Sequence, residues 1–323
     1  MNLLNSLNFK REPLILFDDM NSNQIGYFMG TAKNVSEESV NFMATNGKGL
    51  VYLCIPEQIA KKMKLPFIGE KDPAHKKSFT VSVDYKTTTT GISAGERADT
   101  IRALIDPNTN PDDFKRPGHV FPIVSKERKL VDRVGISEAA VLVSELIFDS
   151  PIAYVCEILN EQGGVANRKE IEALTDKYGL SLITFSEILH YQYETTNWLQ
   201  LIKQSEIDYV NKVMAYTIED TLFNRMFKIF IKYEETSSDS VMFYNECQMG
   251  DLLKLNQCEC KNHFNDYYQQ LVQNKIGALV FLQEGFSEWD SYSGNQVVLK
   301  QIEKLIDELF RETGDVSYAY FLK

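Results

Sequence analysis

Residues 79–122 read FTVSVDYKTTTTGISAGERADTIRALIDPNTNPDDFKRPGHVFP. The opening FTVSV is β-branched and alternating, the pattern of a strand with one buried face. Four threonines (87–90) run into Gly91-Ile92-Ser93, and Arg116-Pro117-Gly118-His119 marks a turn. Hydroxyls beside a glycine can cradle a polyol or phosphate, because a residue without Cβ lets a ligand approach the backbone. The same residues also suit a plain strand end and turn, and a lone histidine such as His119 is as readily structural as catalytic. From the residues alone both readings stand.

Strand-like and helix-like segments alternate on either side of this block. PLILF (13–17), GLVYLCI (49–55) and residues 152–158 are short apolar runs that predict strands. Ser36-Glu37-Glu38 followed by Val40 and Met43 at helical spacing predicts a helix over 36–45. Residues 136–147 and 168–178 also read as helices. From residue 198 to 217 the pattern is polar and reads as continuously helical, which places a domain boundary near residue 205. The second half is expected to hold a strand over 227–233, a cysteine-bearing turn, a helix over 263–273, a strand over 278–282 and a final helix over 297–310. The expected fold is therefore α/β (α+β) in two domains, 1–205 and 206–323.

A chain of 323 residues fits two domains, since single cores stop growing near 250–300 residues. The net charge of −11 excludes a non-specific nucleic-acid binder and a binder of anionic membranes, both of which need basic faces. A phosphorylated small molecule needs only one local cationic pocket and is not excluded. There is no secretory pattern at the N-terminus and no run of about 18 apolar residues. Five scattered cysteines fit a reducing compartment, so a cytoplasmic location is expected.

A second cluster, ECQMGDLLKLNQCEC, spans 246–260. Cys247, Cys258 and Cys260 are three soft ligands, a set that favours zinc with a fourth position open. The alternative is a group of reduced surface thiols.

The 79–122 block, together with DRVGISEAAV (132–141) and VCEILNEQGG (155–164), resembles 3,4-dihydroxy-2-butanone 4-phosphate synthase in one register from about residue 10 to 200. That resemblance implies a homodimer that converts ribulose 5-phosphate to dihydroxybutanone phosphate and formate with a divalent metal, usually magnesium. It implies that Arg133 and Ser137 bind the substrate phosphate and that Thr90 lies in a substrate loop. It places Asp18, Cys54, His119 and Glu157 in the catalytic pocket. The cysteine cluster, with Gly250-Asp251 and Gln283-Glu284-Gly285, resembles the zinc motif of GTP cyclohydrolase II, the usual fusion partner of the synthase, and implies zinc on Cys247, Cys258 and Cys260.

This chain departs from both patterns. The family's acidic loop, Asp-Asp-Glu-x-Arg-Glu-x-Glu-Gly-Asp, is DDMNSNQIGY at 18–27. Its metal-binding glutamate is Asn23, its last aspartate is Tyr27, and the metal-binding histidine of Arg-x-Gly-His-Thr-Glu-Ala is Ile136. Magnesium is not expected at Asn23 and Ile136, because it requires hard oxygen ligands. In the second motif the arginines become Leu282 and Phe286, and the expectation is a zinc domain without GTP cyclohydrolase activity, its zinc structural or catalytic. Three functions follow: a repurposed homologue acting on a pentose phosphate or related metabolite, a non-catalytic binding or regulatory protein of riboflavin biosynthesis, or a divergent working synthase holding its metal on Asp18, Asp19 and Glu157.

Overall fold

The computed structural model describes residues 12–69, 78–233, 240–247, 263–282, 293–313 and 319–321. Its contacts divide the chain into two compact units, 1–192 and 193–323. The boundary expected near residue 205 instead falls inside a strand of the second unit.

Unit 1 is built from β1 (Leu14–Phe17), β2 (Gly26–Thr31), α1 (Glu37–Gly47), β3 (Lys48–Pro56), α2 (Glu57–Lys62), β4 (Val83–Tyr85), α3 (Ala94–Ile105), β5 (Phe114–Ser125), α4 (Ile136–Phe148), β6 (Ala153–Ile158), α5 (Arg168–Tyr178), β7 (Leu182–Thr184) and α6 (Phe185–Thr195). The strands form one mixed sheet in the order β4-β5-β3-β6-β2-β1-β7. Both faces are covered, which is why the strands read as apolar runs. Ile15, Phe17, Phe28, Leu53, Tyr154 and Cys156 point to one face, against Val40 and Met43 of α1, Ile101 of α3 and Ile171 of α5. Their strand neighbours Leu16, Tyr27, Met29, Tyr52, Cys54 and Val155 point to the other, against α4 and against Phe185 and Ile188 of α6.

Local chemistry sets the helix limits. Ser36 caps α1 reciprocally with Ser39: Ser39 N donates to Ser36 Oγ (3.2 Å) and Ser36 N donates to Ser39 Oγ (3.0 Å). Helix α4 is buried at every position from Ile136 to Ser144, and Ala139 and Ala140 let it lie close to the sheet. It starts at Gly135 with no side-chain cap and ends at Asp149 in the left-handed region (φ 50°). The strand expected over 79–83 is displaced: Phe79 and Thr80 make only isolated bridges, to Ile123 and Phe67, and the ladder begins at Val83.

Unit 2 holds β8 (Leu199–Asp208), β9 (Val213–Asp220), β10 (Arg225–Lys232), β11 (Ser240–Asn245), α7 (His263–Val272), β12 (Ala278–Leu282), α8 (Ser293–Thr313) and β13 (Ala319–Phe321). Its sheet order is β13-β11-β12-β10-β9-β8. The helix expected over 198–217 is thus a β-hairpin. The Gln, Lys and Glu side chains that favour a helix sit on an exposed edge strand, while β9 buries Val213, Ala215 and Ile218. Asp208 turns the chain, its Oδ1 accepting from Val210 N (3.1 Å) and Asn211 N (2.9 Å). Val298, Ile302 and Ile306 form the buried stripe of α8. Among the described residues no helix is long and apolar enough to cross a membrane.

Gly49 lies where β3 and β6 shift register between Lys48 and Val51. A Cβ there would stand 2.4 Å from the backbone oxygen of Glu157, an atom with no freedom to rotate away. Gly49→Ala is expected to lower the stability of unit 1 by about 1–3 kcal/mol, read as a reduced urea midpoint at unchanged slope; an unchanged midpoint would show that the bulge relaxes freely.

Candidate functional site

On the α4 face of the sheet, Tyr27 in β2 pairs directly with Glu157 in β6. Tyr52, on the far side of β6, donates its hydroxyl to Glu157 Oε2 (3.2 Å). Cys54 follows two residues along β3 and is completely buried. Asp18 follows β1. Burial, the nearby carboxylates of Glu157 and Asp18, and then Tyr52 and Cys54 hold the Tyr27 phenol far above the usual tyrosine range. Burial first and Glu157 second do the same to Tyr52. Both phenols are therefore neutral donors beside a carboxylate. Asp18, Cys54 and Glu157 thus lie around Tyr27, together with Tyr52.

Asp18 is already engaged. Its Oδ1 accepts from Met20 N (3.2 Å) and Asn21 N (3.0 Å), and its Oδ2 from Asn21 Nδ2 (2.8 Å). Asp19 accepts from Ser186 N (3.0 Å) and from the Ser186 hydroxyl. The positions the sequence identified with lost metal ligands differ sharply. Ile136 is 4% exposed in the apolar cluster that also contains Tyr27, Tyr52 and Cys54, whereas Asn23 is exposed on the β1–β2 turn. An aliphatic group has no lone pair to give, so this pair does not fit a magnesium ion.

The expected phosphate anchors form one network at the start of α4. Arg133 Nε (2.9 Å) and Nη2 (2.6 Å) donate to Glu138 Oε1, Nη1 to Ser78 Oγ (2.7 Å), and Nη2 also to Val124 O (2.7 Å) and Ser137 Oγ (3.1 Å). Ser137 Oγ donates to Glu138 Oε2 (2.9 Å). Glu138 is fully buried and the Arg133 side chain is 13% exposed. The guanidinium is thus fixed in plane beside a helix N-terminus that carries no side-chain cap, a setting that suits an anion.

Thr90 is exposed, and its hydroxyl is engaged within the loop. Its hydroxyl donates to Glu96 Oε2 (3.3 Å), and the same carboxylate collects Thr89 N, Thr89 Oγ1 (2.8 Å), Gly91 N (2.9 Å) and Ser93 Oγ (3.3 Å). These donors, the Thr89 hydroxyl foremost, hold the Glu96 carboxyl at about 2. His119 is held by Asp84, which accepts His119 N (2.8 Å) on Oδ1 and contacts Nδ1 (2.9 Å) through Oδ2.

Tyr52, Asp84, Glu96 and Glu138 were not among the residues singled out from sequence. Glu138 and Glu96 sit inside the quoted motifs, one residue past Ser137 and five past Gly91, so their position was the available signal. In unit 2, Cys247 is half-buried just beyond β11. Cys258 and Cys260 lie outside the described residues, and among the described residues no group of three or more His, Cys, Asp or Glu side chains is placed to hold a metal.

The 3,4-dihydroxy-2-butanone 4-phosphate synthase family model matches residues 8–191. The riboflavin biosynthesis protein RibBA of Bacillus subtilis (strain 168) is 33% identical over 288 residues, covering 85% of this chain and 71% of the relative. RibBA of Staphylococcus haemolyticus is 31% identical over 285 residues, covering 87% and 72%. The crystal structure of RibBX, a two-domain 3,4-dihydroxy-2-butanone 4-phosphate synthase from A. baumannii, shares the fold at a TM-score of 0.63 and 24% identity, over 97% of this chain and 90% of that one. A 3,4-dihydroxy-2-butanone 4-phosphate synthase in complex with two magnesium ions aligns at a TM-score of 0.53 and 30% identity, over 57% and 92%. The chain is a homologue of the riboflavin-biosynthesis enzymes and belongs to the 3,4-dihydroxy-2-butanone 4-phosphate synthase family.

Proposed function

We propose that unit 1 binds a pentose phosphate or a related phosphorylated metabolite and turns it over by proton transfer, without magnesium at the family's usual positions. In this reading the protein is a repurposed synthase homologue in a specialised branch from riboflavin precursors, and it is a homodimer through unit 1. The observation that carries the proposal is a contrast between two parts of the site. Ile136 is sealed into an apolar cluster with Tyr27, Tyr52 and Cys54, while His119 keeps a 42% exposed side chain and a carboxylate partner. Arg133 and Ser137 would take the phosphate. Glu157 and His119 would move protons, beside the neutral phenols of Tyr27 and Tyr52.

The identity to RibBA proteins favours a second reading, a working synthase whose metal is held by Asp18, Asp19 and Glu157. An assay with ribulose 5-phosphate separates the two. Losing metal polarisation worth several kcal/mol predicts formate release at least about 10³-fold slower than a magnesium-bearing relative assayed alongside. Exchange of carbon-bound hydrogen with D2O is expected to persist in EDTA and to disappear in His119→Ala. Formate released at the relative's rate and abolished by EDTA would replace the first reading by the second. If ribulose 5-phosphate raises the melting temperature but neither reaction occurs, the protein is a binding or regulatory homologue.

For unit 2 we propose zinc on Cys247, Cys258 and Cys260, in a structural role and without GTP cyclohydrolase activity. Three thiolates are a donor set that selects zinc over harder ions. Elemental analysis of protein purified without added metal should find about one zinc per chain. Cys247→Ser should lose it and lower the melting temperature of unit 2. Full zinc occupancy in the Cys247→Ser variant would sink the assignment.

A further inference from the structure

Strands β4 and β5 pair Val83 with Val120 but Asp84 with Lys115. Between two adjacent residues of β4 the partner strand therefore spends four extra residues, 116–119. Bulges of this kind re-aim a side chain. Here the excursion brings His119 back onto Asp84, whose carboxylate meets both the His119 backbone N–H (2.8 Å) and Nδ1 (2.9 Å). Asp84 is 5% exposed.

Two glycines make this arrangement possible. A Cβ on Gly91, which has φ +82°, would stand 2.1 Å from Asp84 Oδ2. A Cβ on Gly118 would stand 2.1 Å from the backbone carbon of Val83, and Gly118 N donates to Ser82 Oγ (3.1 Å). The Gly91 loop is itself clamped by Glu96, which accepts Gly91 N (2.9 Å). A bulge, two close glycine approaches and a clamped loop are thus all spent on fixing one imidazole that remains half open to solvent. The His119 side chain is 42% exposed while its Asp84 partner is 8% exposed.

We infer that Asp84 is a positioning residue that fixes His119 in the Nδ1–H tautomer and so presents the Nε2 lone pair to the substrate. A carboxylate that accepts both contacts takes them as donations from His119, through its backbone N–H and Nδ1–H. Nδ1 then carries the proton and Nε2 is the acceptor, the minor form of a free imidazole. In the reaction, a carbon- or oxygen-bound proton of the sugar moves to Nε2 and the bonding pair stays on the sugar as an enediolate or alkoxide. The imidazolium that forms is ion-paired with Asp84, and return of the proton from Nε2 restores the resting state. This role rests on the proton-transfer reading above, whereas the tautomer can be read without any substrate.

The chain has four histidines, so ring nitrogens can be assigned in ¹⁵N-labelled protein, with His119→Gln identifying the signals of interest. Long-range ¹H–¹⁵N correlation at pH 8.5 is expected to show His119 protonated on Nδ1. Asp84→Asn should invert it, because the amide of asparagine donates to Nδ1 and forces the proton to Nε2. In D2O with ribulose 5-phosphate, Asp84→Asn should slow hydrogen exchange about 10²–10⁴-fold through kcat with KM unchanged. An Nε2–H tautomer in the wild-type protein overturns the inference whatever the activity, and does so even if the variant fails to fold. An inverted tautomer with undiminished exchange overturns the positioning role alone. An Nδ1–H tautomer with no exchange in the wild type leaves the geometry standing and overturns the proton-transfer reading.

Discussion

On the α4 face of unit 1 the half-buried carboxylate of Glu157 takes a hydrogen bond from the Tyr52 hydroxyl (3.2 Å). A carboxylate removed in part from water needs hydrogen-bond donors on its buried side. Tyr27 is its direct cross-strand partner and Tyr52 donates to it from the other side. Each tyrosine buries its ring in the same cluster as Ile136 and α4, and each keeps its hydroxyl proton because burial first and the neighbouring Glu157 second disfavour ionisation. In Tyr52 one side chain thus meets both apolar packing and the hydrogen bond to Glu157.

Much of this architecture was legible in the sequence, and the boundary between what was and was not follows the range of the forces involved. Helix 168–178 and strand 278–282 match α5 and β12 to the residue, because hydrophobic period and capping are local signals. Residues 198–217 misled, because Gln, Lys and Glu carry helix propensity while the deciding contact, pairing of β8 with β9, is made across a turn. Asp18, Cys54 and Glu157 were expectations legible through family resemblance. The partners Tyr52 and Asp84 were not, since each acquires its role from a residue far away in sequence: Glu157 for the first, His119 for the second.

Thr90 and Arg133 show how the same motif reads differently once folded. The threonine hydroxyls next to Gly91 are chemically fit for a phosphate, yet they are spent on Glu96, a carboxylate of the same chain. The loop is therefore preformed rather than waiting for its ligand, and its glycine serves by letting Asp84 come close. Arg133 is likewise occupied by Glu138, but occupation is not the same as removal. A guanidinium locked in plane loses less rotational freedom on binding than a free one, so the ion pair lowers the entropic cost of recognition while it weakens the raw charge.

These two effects oppose each other, and burial decides between them. Glu138 is fully enclosed and takes hydrogen bonds from Lys126 N, Arg133 and Ser137. It cannot leave Arg133 without stranding a charge, so a phosphate arriving at α4 must add to the pair rather than replace it. What it would add to is the uncapped start of α4 and the hydroxyl of Ser137, next to a positive group already compensated. In the proposed reading, such a site would discriminate among anions by geometry more than by charge.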